Sequence, residues 1–361
     1  MKISVAMATY NGERHLGAQL ASLAAQTRPP DELVIMDDGS TDRTQAIVEE
    51  FARDARFPVH FHRNESNLGY TRNFLKAARH CTGSWIAFCD QDDIWLPEKL
   101  ACVERHMSDP NVLLIVHSAE LIDERSTPTG VRYPDFRVPR VLDRRALPTW
   151  WIVEGFVSVF RAQLAAYLSD REGRLTGDWP AVPRGHDALV CRLARALGKT
   201  VVLPERLALH RWHPSAVTTG FLPQELSGIR DSRKFLSRFK RVLRRNGSAT
   251  YRQQSEEARH QALVYREFAV TDDSERMRRR WRRAAREYSA FSEWIARRAE
   301  LYEAVGLGAR LAHGCNLFYR GGYWRFNGWS VIGFRSLAKE LALDGTVMLL
   351  GAERIRESRI D

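Results

Sequence analysis

Ser84-Trp85-Ile86-Ala87-Phe88-Cys89-Asp90-Gln91-Asp92-Asp93-Ile94-Trp95-Leu96-Pro97 is the stretch on which the reading of this chain turns. Trp85 to Cys89 carries no charge and lies between turn signals, so it reads as a buried strand. Three carboxylates follow within four residues, and Pro97 suits the opening of a helix, where its missing N–H costs nothing. A strand that ends in clustered carboxylates sets them at the carboxyl edge of a sheet, where open α/β folds bind ligands. Acids this close repel one another, and a hard cation such as Mg²⁺ or Mn²⁺ keeps them ionised. A solvated acidic turn with a helix N-cap is the alternative that the same residues allow.

Towards the amino terminus, residues 3–8 read as a first strand, broken by Thr9-Tyr10-Asn11-Gly12 and followed by a helix with Leu16, Leu20 and Leu23 on one face. Residues 33–36 form a second strand, closed by Asp37-Asp38-Gly39-Ser40-Thr41-Asp42, in which Ser40 or Thr41 is expected to cap the next helix. Val59 and Phe61 alternate in a third strand, and residues 64–69 turn into a helix bearing Phe74, Leu75 and Ala78. This alternation predicts an α/β domain with a mostly parallel central sheet flanked by helices.

Towards the carboxyl terminus, residues 112–117 and 155–160 predict strands, 163–168 a helix, and 201–203 a further strand. Residues 123–147, rich in Pro, Arg and Thr, read as a long loop over the site, and 173–185 as irregular. His186-Asp187 leads a helix with Leu189, Leu193 and Leu197 on one face. Beyond about residue 220 the pattern turns helical, at 232–244, 251–268 and 274–305. An aromatic, glycine-rich patch at 318–329 and a last helix at 334–343 follow. The expected organisation is therefore a domain over 1–220 and a mainly helical, basic region over 221–361.

Apolar content of 44% with 27% charged residues is ordinary for a soluble globular chain of 361 residues. The five cysteines form no CxxC pair and read as reduced packing residues. The first residues run straight into a strand, so no signal peptide is expected, and no apolar run is long enough to span a bilayer. A cytoplasmic location is expected, with peripheral contact at the cytoplasmic face of the inner membrane. The formal net charge is +11, and residues 231–300 alone carry 19 Lys/Arg against 10 Asp/Glu. Phe235, Leu236, Phe239, Val242 and Leu243 share a helical face among basic residues, as interfacial helices do. The run 276–283 is more uniformly basic and suits anionic headgroups, a neighbouring copy of the chain, or a solvated face. No zinc-binding, RRM-like or helix-turn-helix signature accompanies this charge, so nucleic acid is not an expected partner.

Thr9-Tyr10-Asn11-Gly12 lacks the glycine spacing of a dinucleotide fingerprint, and no Walker lysine follows it, which argues against nicotinamide enzymes and P-loop ATPases. Asp37 and Asp38 should open on the same edge as Asp90 and Asp92. One of them could accept hydrogen bonds from a nucleoside, and an Asx-type turn closed by Gly39 explains the pair equally well.

Residues 5–12, Asp37-Asp38-Gly39-Ser40-Thr41-Asp42, Asn67-Leu68-Gly69 and Asp90-Gln91-Asp92-Asp93 together resemble the ordered motifs of the family 2 glycosyltransferases, across about the first 100 residues. The resemblance implies a GT-A fold and transfer of a sugar from a nucleotide-sugar donor, with inversion. It implies that Thr9, Asn11 and Asp38 border the nucleotide, that Asp90 lies near the ribose and the metal, and that Asp92 is the main metal-bridging carboxylate. It also places the base at Asp187, for which a helix-dipole carboxylate is the plainer alternative. His186 is expected on the acceptor side. Glu205-Arg206-Leu207-Ala208-Leu209-His210-Arg211-Trp212-His213 resembles the family's Tyr-Arg-x-His segment, with His210 in the tyrosine position. It suggests Arg211 for the diphosphate and His213 for the metal shell, or for loop packing. Trp151 and Glu154 are expected to line the acceptor, although the Trp150-Trp151 pair could equally be core and rim.

The expected function is an inverting, Mg²⁺- or Mn²⁺-dependent transferase using dTDP-rhamnose or a UDP-hexose. The acceptor is a glycan or lipid-linked saccharide, and a homo-oligomer is compatible. A catalytically inactive nucleotide-sugar-binding module is the competing class. A nucleotidyltransferase should bring a glycine-rich, lysine-bearing loop that is missing here.

Overall fold

A computed structural model describes residues 1–143, 153–168, 185–212 and 247–304, with short pieces at 308–309, 312–313 and 315–316. The described residues fall into two compact units, divided near residue 222.

The first unit is a three-layer α/β structure. Its strands are β1 (Ile3–Thr9), β2 (Glu32–Asp37), β3 (Val59–Arg63), β4 (Trp85–Cys89), β5 (Ile94–Trp95), β6 (Val112–Ile122), β7 (Pro128–Arg132), β8 (Arg140–Leu142), β9 (Ser158–Arg161) and β10 (Lys199–Arg211). They form one sheet in the order β3-β2-β1-β4-β9-β6-β10-β5, with β7 added to β6 and β8 to β10. Strands β3, β2, β1 and β4 pair in parallel, as do β6 and β10. Strand β9 runs against both β4 and β6, so the two parallel groups point the same way. The mainly parallel, helix-flanked sheet matches the expectation. Its helices are α1 (Leu16–Ala24), α2 (Thr44–Asp54), α3 (Tyr70–His80), α4 (Lys99–Glu104) and α5 (His186–Leu197).

Strands β1, β2 and β4 are apolar on both faces and almost wholly buried, as interior parallel strands require. The structure differs from the expected pattern in five places. Residues 155–157 form a 3₁₀ turn because the Phe156 carbonyl accepts from Lys99 Nζ at 2.7 Å and the Glu154 carbonyl from Ser158 Oγ at 2.9 Å. The segment expected as a loop over 123–147 instead supplies β7 and β8, exposed edge strands with no apolar stripe to announce them. Strand β10 extends to Arg211 through register shifts against β6, and carries His210 and Arg211 to the edge of the sheet. Residues 162–167 wind as 3₁₀ turns. At α2 neither Ser40 nor Thr41 caps: Ser40 Oγ bonds Asp37, and Asp42 Oδ1 accepts from Thr44 N at 3.0 Å.

The second unit contains two long helices, α6 (Gly247–Thr271) and α7 (Glu275–Glu303), joined where the sequence places a Thr-Asp-Asp break. Ser274 caps α7 by accepting from Met277 N. Tyr265, Phe268, Trp281 and Tyr288 build the aromatic core between them, with Trp281 centroids 5.3 Å from Tyr265 and 4.9 Å from Phe268. The helices expected over 232–244 and 334–343, and the aromatic patch, lie outside the described residues. Among the described residues no helix is long and apolar enough to cross a membrane.

Candidate active site

Parallel pairing aligns the strand ends. Thr9 lies opposite Asp37 and Met7 opposite Cys89, so the turns after β1, β2 and β4 emerge along one edge. Those turns are tied together by their own side chains. Gln91 grips the Tyr10 backbone on both sides, accepting from its N–H at 2.9 Å and donating to its carbonyl at 3.0 Å. Gly12 sits so close to Gln91 Oε1 that a side chain there would collide with it. Asn11 adopts a φ of +47°, a conformation asparagine tolerates, and its Oδ1 accepts from Thr41 N at 2.9 Å.

Thr9 and Asp38 shape this edge from within. Thr9 Oγ1 donates to Asp37 Oδ1 at 2.9 Å, and Asp37 Oδ2 accepts from Ser40 N at 2.9 Å, an Asx-type closure with Gly39 at φ +86°. The buried Asp38 carboxylate accepts from Asn64 Nδ2 at 2.8 Å, Leu68 N at 2.8 Å and Gly69 N at 2.9 Å. It thereby pins the 64–69 turn to the mouth of β2.

Beyond β4 the acidic turn is neutralised from inside. Asp93 is fully buried, and its Oδ1 accepts from His210 Nδ1 at 2.8 Å and Arg211 N at 3.0 Å. Burial pushes the His210 imidazole down, but the charge and hydrogen bond of Asp93, with Asp90 and Asp92 beyond, outweigh it and raise its pKa to about 9. Arg211 is buried too, and four donor contacts are committed to the Asp92, Asp123 and Glu124 carbonyls and Ser126 Oγ. Arg211 thus fastens the acidic turn to the end of β6, with its guanidinium turned inward.

Lys99 supplies a third buried cation. Its Nζ lies 3.6 Å from the Trp95 ring centroid, and burial lowers its pKa to about 7 against the opposing pull of Cys89, Asp93 and Asp90. Burial, then the charges of Asp93 and Asp92, hold Asp90 well above the usual carboxylate range, although His210 pulls the other way.

A second acidic pair lies within electrostatic reach of this cluster. Burial raises Glu154, whose carboxylate accepts from Tyr133 Oη and is raised further by the charge of Asp187. Burial likewise raises Asp187, while Ala188 N donates to its Oδ1 at 2.7 Å and lowers it. The field of Asp187 also reaches Asp90, so the acids after β4 and those at the start of α5 belong to one electrostatic site. His186 does not line it. It is buried, stacked on Phe74 with centroids 4.0 Å apart and set edge-on to Phe88 at 4.7 Å. Burial drives its pKa down to about 3, leaving a neutral ring that packs as an aromatic.

Trp151 and His213 lie outside the described residues. Among the described residues no group of three or more His, Cys, Asp or Glu side chains converges as a preformed metal cage. The donor set nevertheless fits a hard divalent cation of the Mg²⁺ class. Asp90 and Asp92 offer carboxylate oxygens, Asp93 Oδ2 is buried without a partner, and such ions need only one or two carboxylates when substrate phosphates complete the shell.

Sequence reasoning passed over Gln91, Lys99 and Tyr133. Gln91 stands inside the quoted acidic turn, and Lys99 interrupts an apolar helix face. Tyr133 carries no local signal, because only the β7 pairing brings it to Glu154.

Taken together, the fold and site define an α/β protein with clustered carboxylates at the carboxyl edge of parallel strands. Residues 4–165 match the model of Glycosyl transferase family 2, a segment just under half of the chain. A glycosyltransferase of Nostoc sp. is 36% identical over 126 residues, 34% of this chain and 38% of the relative. The UDP-Glc:alpha-D-GlcNAc-diphosphoundecaprenol beta-1,3-glucosyltransferase WfgD of Escherichia coli is 32% identical over 124 residues, 34% of this chain and 48% of WfgD. The matches thus span less than half of either relative's length. Among solved structures, S. aureus TarS 1-349 in complex with UDP is similar at 17% identity and a TM-score of 0.49, covering 89% of this chain and 92% of TarS 1-349.

Proposed function

We propose that the first unit, over about residues 1–220, is the catalytic domain of an inverting, divalent-metal-dependent glycosyltransferase with a nucleotide-diphosphate sugar donor. The observation that carries this reading is that two acidic groups, Asp90 and Asp92 after β4 and Glu154 with Asp187, lie within one another's electrostatic reach, the charge of Asp187 raising both Asp90 and Glu154. Inverting transfer needs that division: one side neutralises the leaving diphosphate and the other takes the proton of the attacking hydroxyl.

In this mechanism Thr9, Asn11 and Asp38 set the shape of the nucleotide pocket, the last by fixing the 64–69 turn. Asp92 and Asp90 would hold the cation, with His213 as a further ligand. Once bound, Mg²⁺ or Mn²⁺ supplies positive charge to the diphosphate as its bond to the sugar breaks. Arg211 acts on the phosphate side by holding the Asp92 backbone in place through its 2.8 Å bond to that carbonyl. Asp187 accepts the proton, at the head of a rigid helix. Glu154 and Trp151 orient the acceptor, and His186 seats the first turn of α5.

The printed specificity of WfgD supports a UDP-hexose donor and a lipid-linked diphosphate acceptor; dTDP-rhamnose is the other donor of the reading. The basic second unit is proposed to rest on an anionic membrane surface at the cytoplasmic face. Purified protein should be screened against a panel of nucleotide sugars with Mg²⁺ or Mn²⁺, reading released nucleotide and saturation-transfer NMR. Release from one donor, raised by a lipid-linked acceptor, is expected. Donor binding with no turnover on any acceptor would favour an inactive binding module.

A further inference from the structure

We infer that the groove at the closed end of the α6–α7 hairpin seats the phosphate of an anionic lipid headgroup. The inference rests on the membrane-surface reading of the second unit and gives it a defined site. The groove is open to solvent, has a volume of about 700 Å³ and is lined by Arg266, Ala269 and Val270 from α6 and by Glu275, Arg278, Arg282, Ala285 and Arg286 from α7. Arg278, Arg282 and Arg286 recur every four residues, so they form one stripe about 12 Å long down α7. Arg266 faces them from α6, with its Nη2 held at 3.0 Å by Ser289 Oγ.

Charge balance within the groove is uneven. Glu275 is its one carboxylate, and that single group is already shared by Arg278 at 2.8 Å, Arg279 at 3.1 Å and Arg282 at 3.5 Å. Four guanidiniums against one carboxylate leave an excess of +3 in a concave surface whose floor, Ala269 and Ala285, is small enough for a headgroup to approach. Guanidinium forks match phosphate oxygens in pairs, which makes phosphate the fitting anion.

The source of that phosphate is indicated by the apolar residues beside it. Leu263 is 54% exposed and Val270 79% exposed, and with Arg266 they occupy positions i, i+7 and i+3 of one face of α6. Exposed aliphatic side chains interleaved with arginines suit the boundary between headgroups and acyl chains, where a soluble phosphate would leave them in water.

Two charge-matched triple variants of the full chain test this by co-sedimentation with vesicles. Arg278→Gln/Arg282→Gln/Arg286→Gln empties the groove, and Arg276→Gln/Arg279→Gln/Arg283→Gln removes the same charge from another stripe of α7. On phosphatidylglycerol vesicles the groove triple is expected to bind at least 10-fold more weakly than the control triple, with circular dichroism unchanged for both. On phosphatidylcholine all three proteins should bind poorly. Equal losses in the two triples would overturn the groove and leave a general electrostatic surface. Absence of wild-type binding to anionic vesicles would remove the membrane reading along with it. Displacement from vesicles by inorganic phosphate at sub-millimolar concentration would also overturn the inference, by identifying a soluble-anion site.

Discussion

The ring of His210 lies flat on that of Phe156, with centroids 4.0 Å apart and planes within 5°, while its Nδ1 bonds Asp93 at 2.8 Å. One side chain therefore joins the acidic turn after β4 to the turn that carries Glu154. Tyrosine would keep the stacking at this position, but only a cation balances the buried Asp93. The departure from the Tyr-Arg-x-His pattern thus has an electrostatic meaning: His210 is an internal counter-ion of the cluster.

His210→Phe keeps the aromatic face and removes the charge, leaving Asp93 buried and unpaired. Breaking a buried pair from one side costs about 3–5 kcal/mol, so urea unfolding at pH 7 should show a loss of that order. His210→Phe/Asp93→Asn should regain more than half of it, because no charge is stranded and the Asn oxygen still accepts from Arg211 N. A double variant no more stable than the single one would deny the counter-ion role.

Asp92→Asn should reduce turnover roughly 10²-fold or more, as loss of one electrostatic stabiliser of a transition state does. Mn²⁺ titrations of wild type and variant with donor present provide the measurement. The variant should need far more Mn²⁺ for its residual activity, with acceptor KM little changed. Wild-type turnover that is the same in EDTA as in Mn²⁺ would end the metal assignment.

His186 predicts a pH dependence of stability. Its folded pKa is depressed to about 3, while the unfolded chain titrates near 6.5. Below pH 6.5 the unfolded state takes up a proton that the folded state refuses, so stability is lost as pH falls from there towards 3. At pH 5 that loss is on the order of 2 kcal/mol. His186→Met should flatten the wild-type decline between pH 7 and pH 5 in urea titrations. An unchanged slope would mean that the ring escapes its aromatic cage on protonation.

What could be read in the chain divides along physical lines. Strands β1, β2 and β4 announced themselves because burial on both faces leaves continuous apolar runs, and their polar turns had to share an edge. Strands β7 and β8 were invisible, since exposed edges need neither apolar faces nor alternation. The place of Asp187 in the first turn of α5 was legible from the apolar helix face that follows it. The Tyr133–Glu154 contact depends on a pairing that no local pattern encodes. Lys99 escaped for a related reason, as did the counter-ion role of His210, which the sequence shows only as a departure in the tyrosine position. A buried cation in sequence is only a charged residue among apolar ones, and its partner lies more than fifty residues away.

The assignment of the base rests on two acids held above the ordinary carboxylate range, Asp187 and Glu154, each first by burial. A base works deprotonated, so turnover should fall as pH falls through the raised pKa of Asp187, giving an acid limb above the ~3.9 of a solvated aspartate. Asp187→Asn should cut kcat by roughly 10²–10⁴-fold and abolish that limb, with donor binding by calorimetry unchanged. Glu154→Gln should mainly raise the acceptor KM. It should leave the limb in place, because Asp187 raises Glu154 and Glu154 is not among the groups that shift Asp187. The two variants therefore differ in three observables: kcat, acceptor KM and the presence of the limb. Should the limb persist in Asp187→Asn and vanish in Glu154→Gln, the base is Glu154, and Asp187 becomes the group that keeps it protonated at low pH.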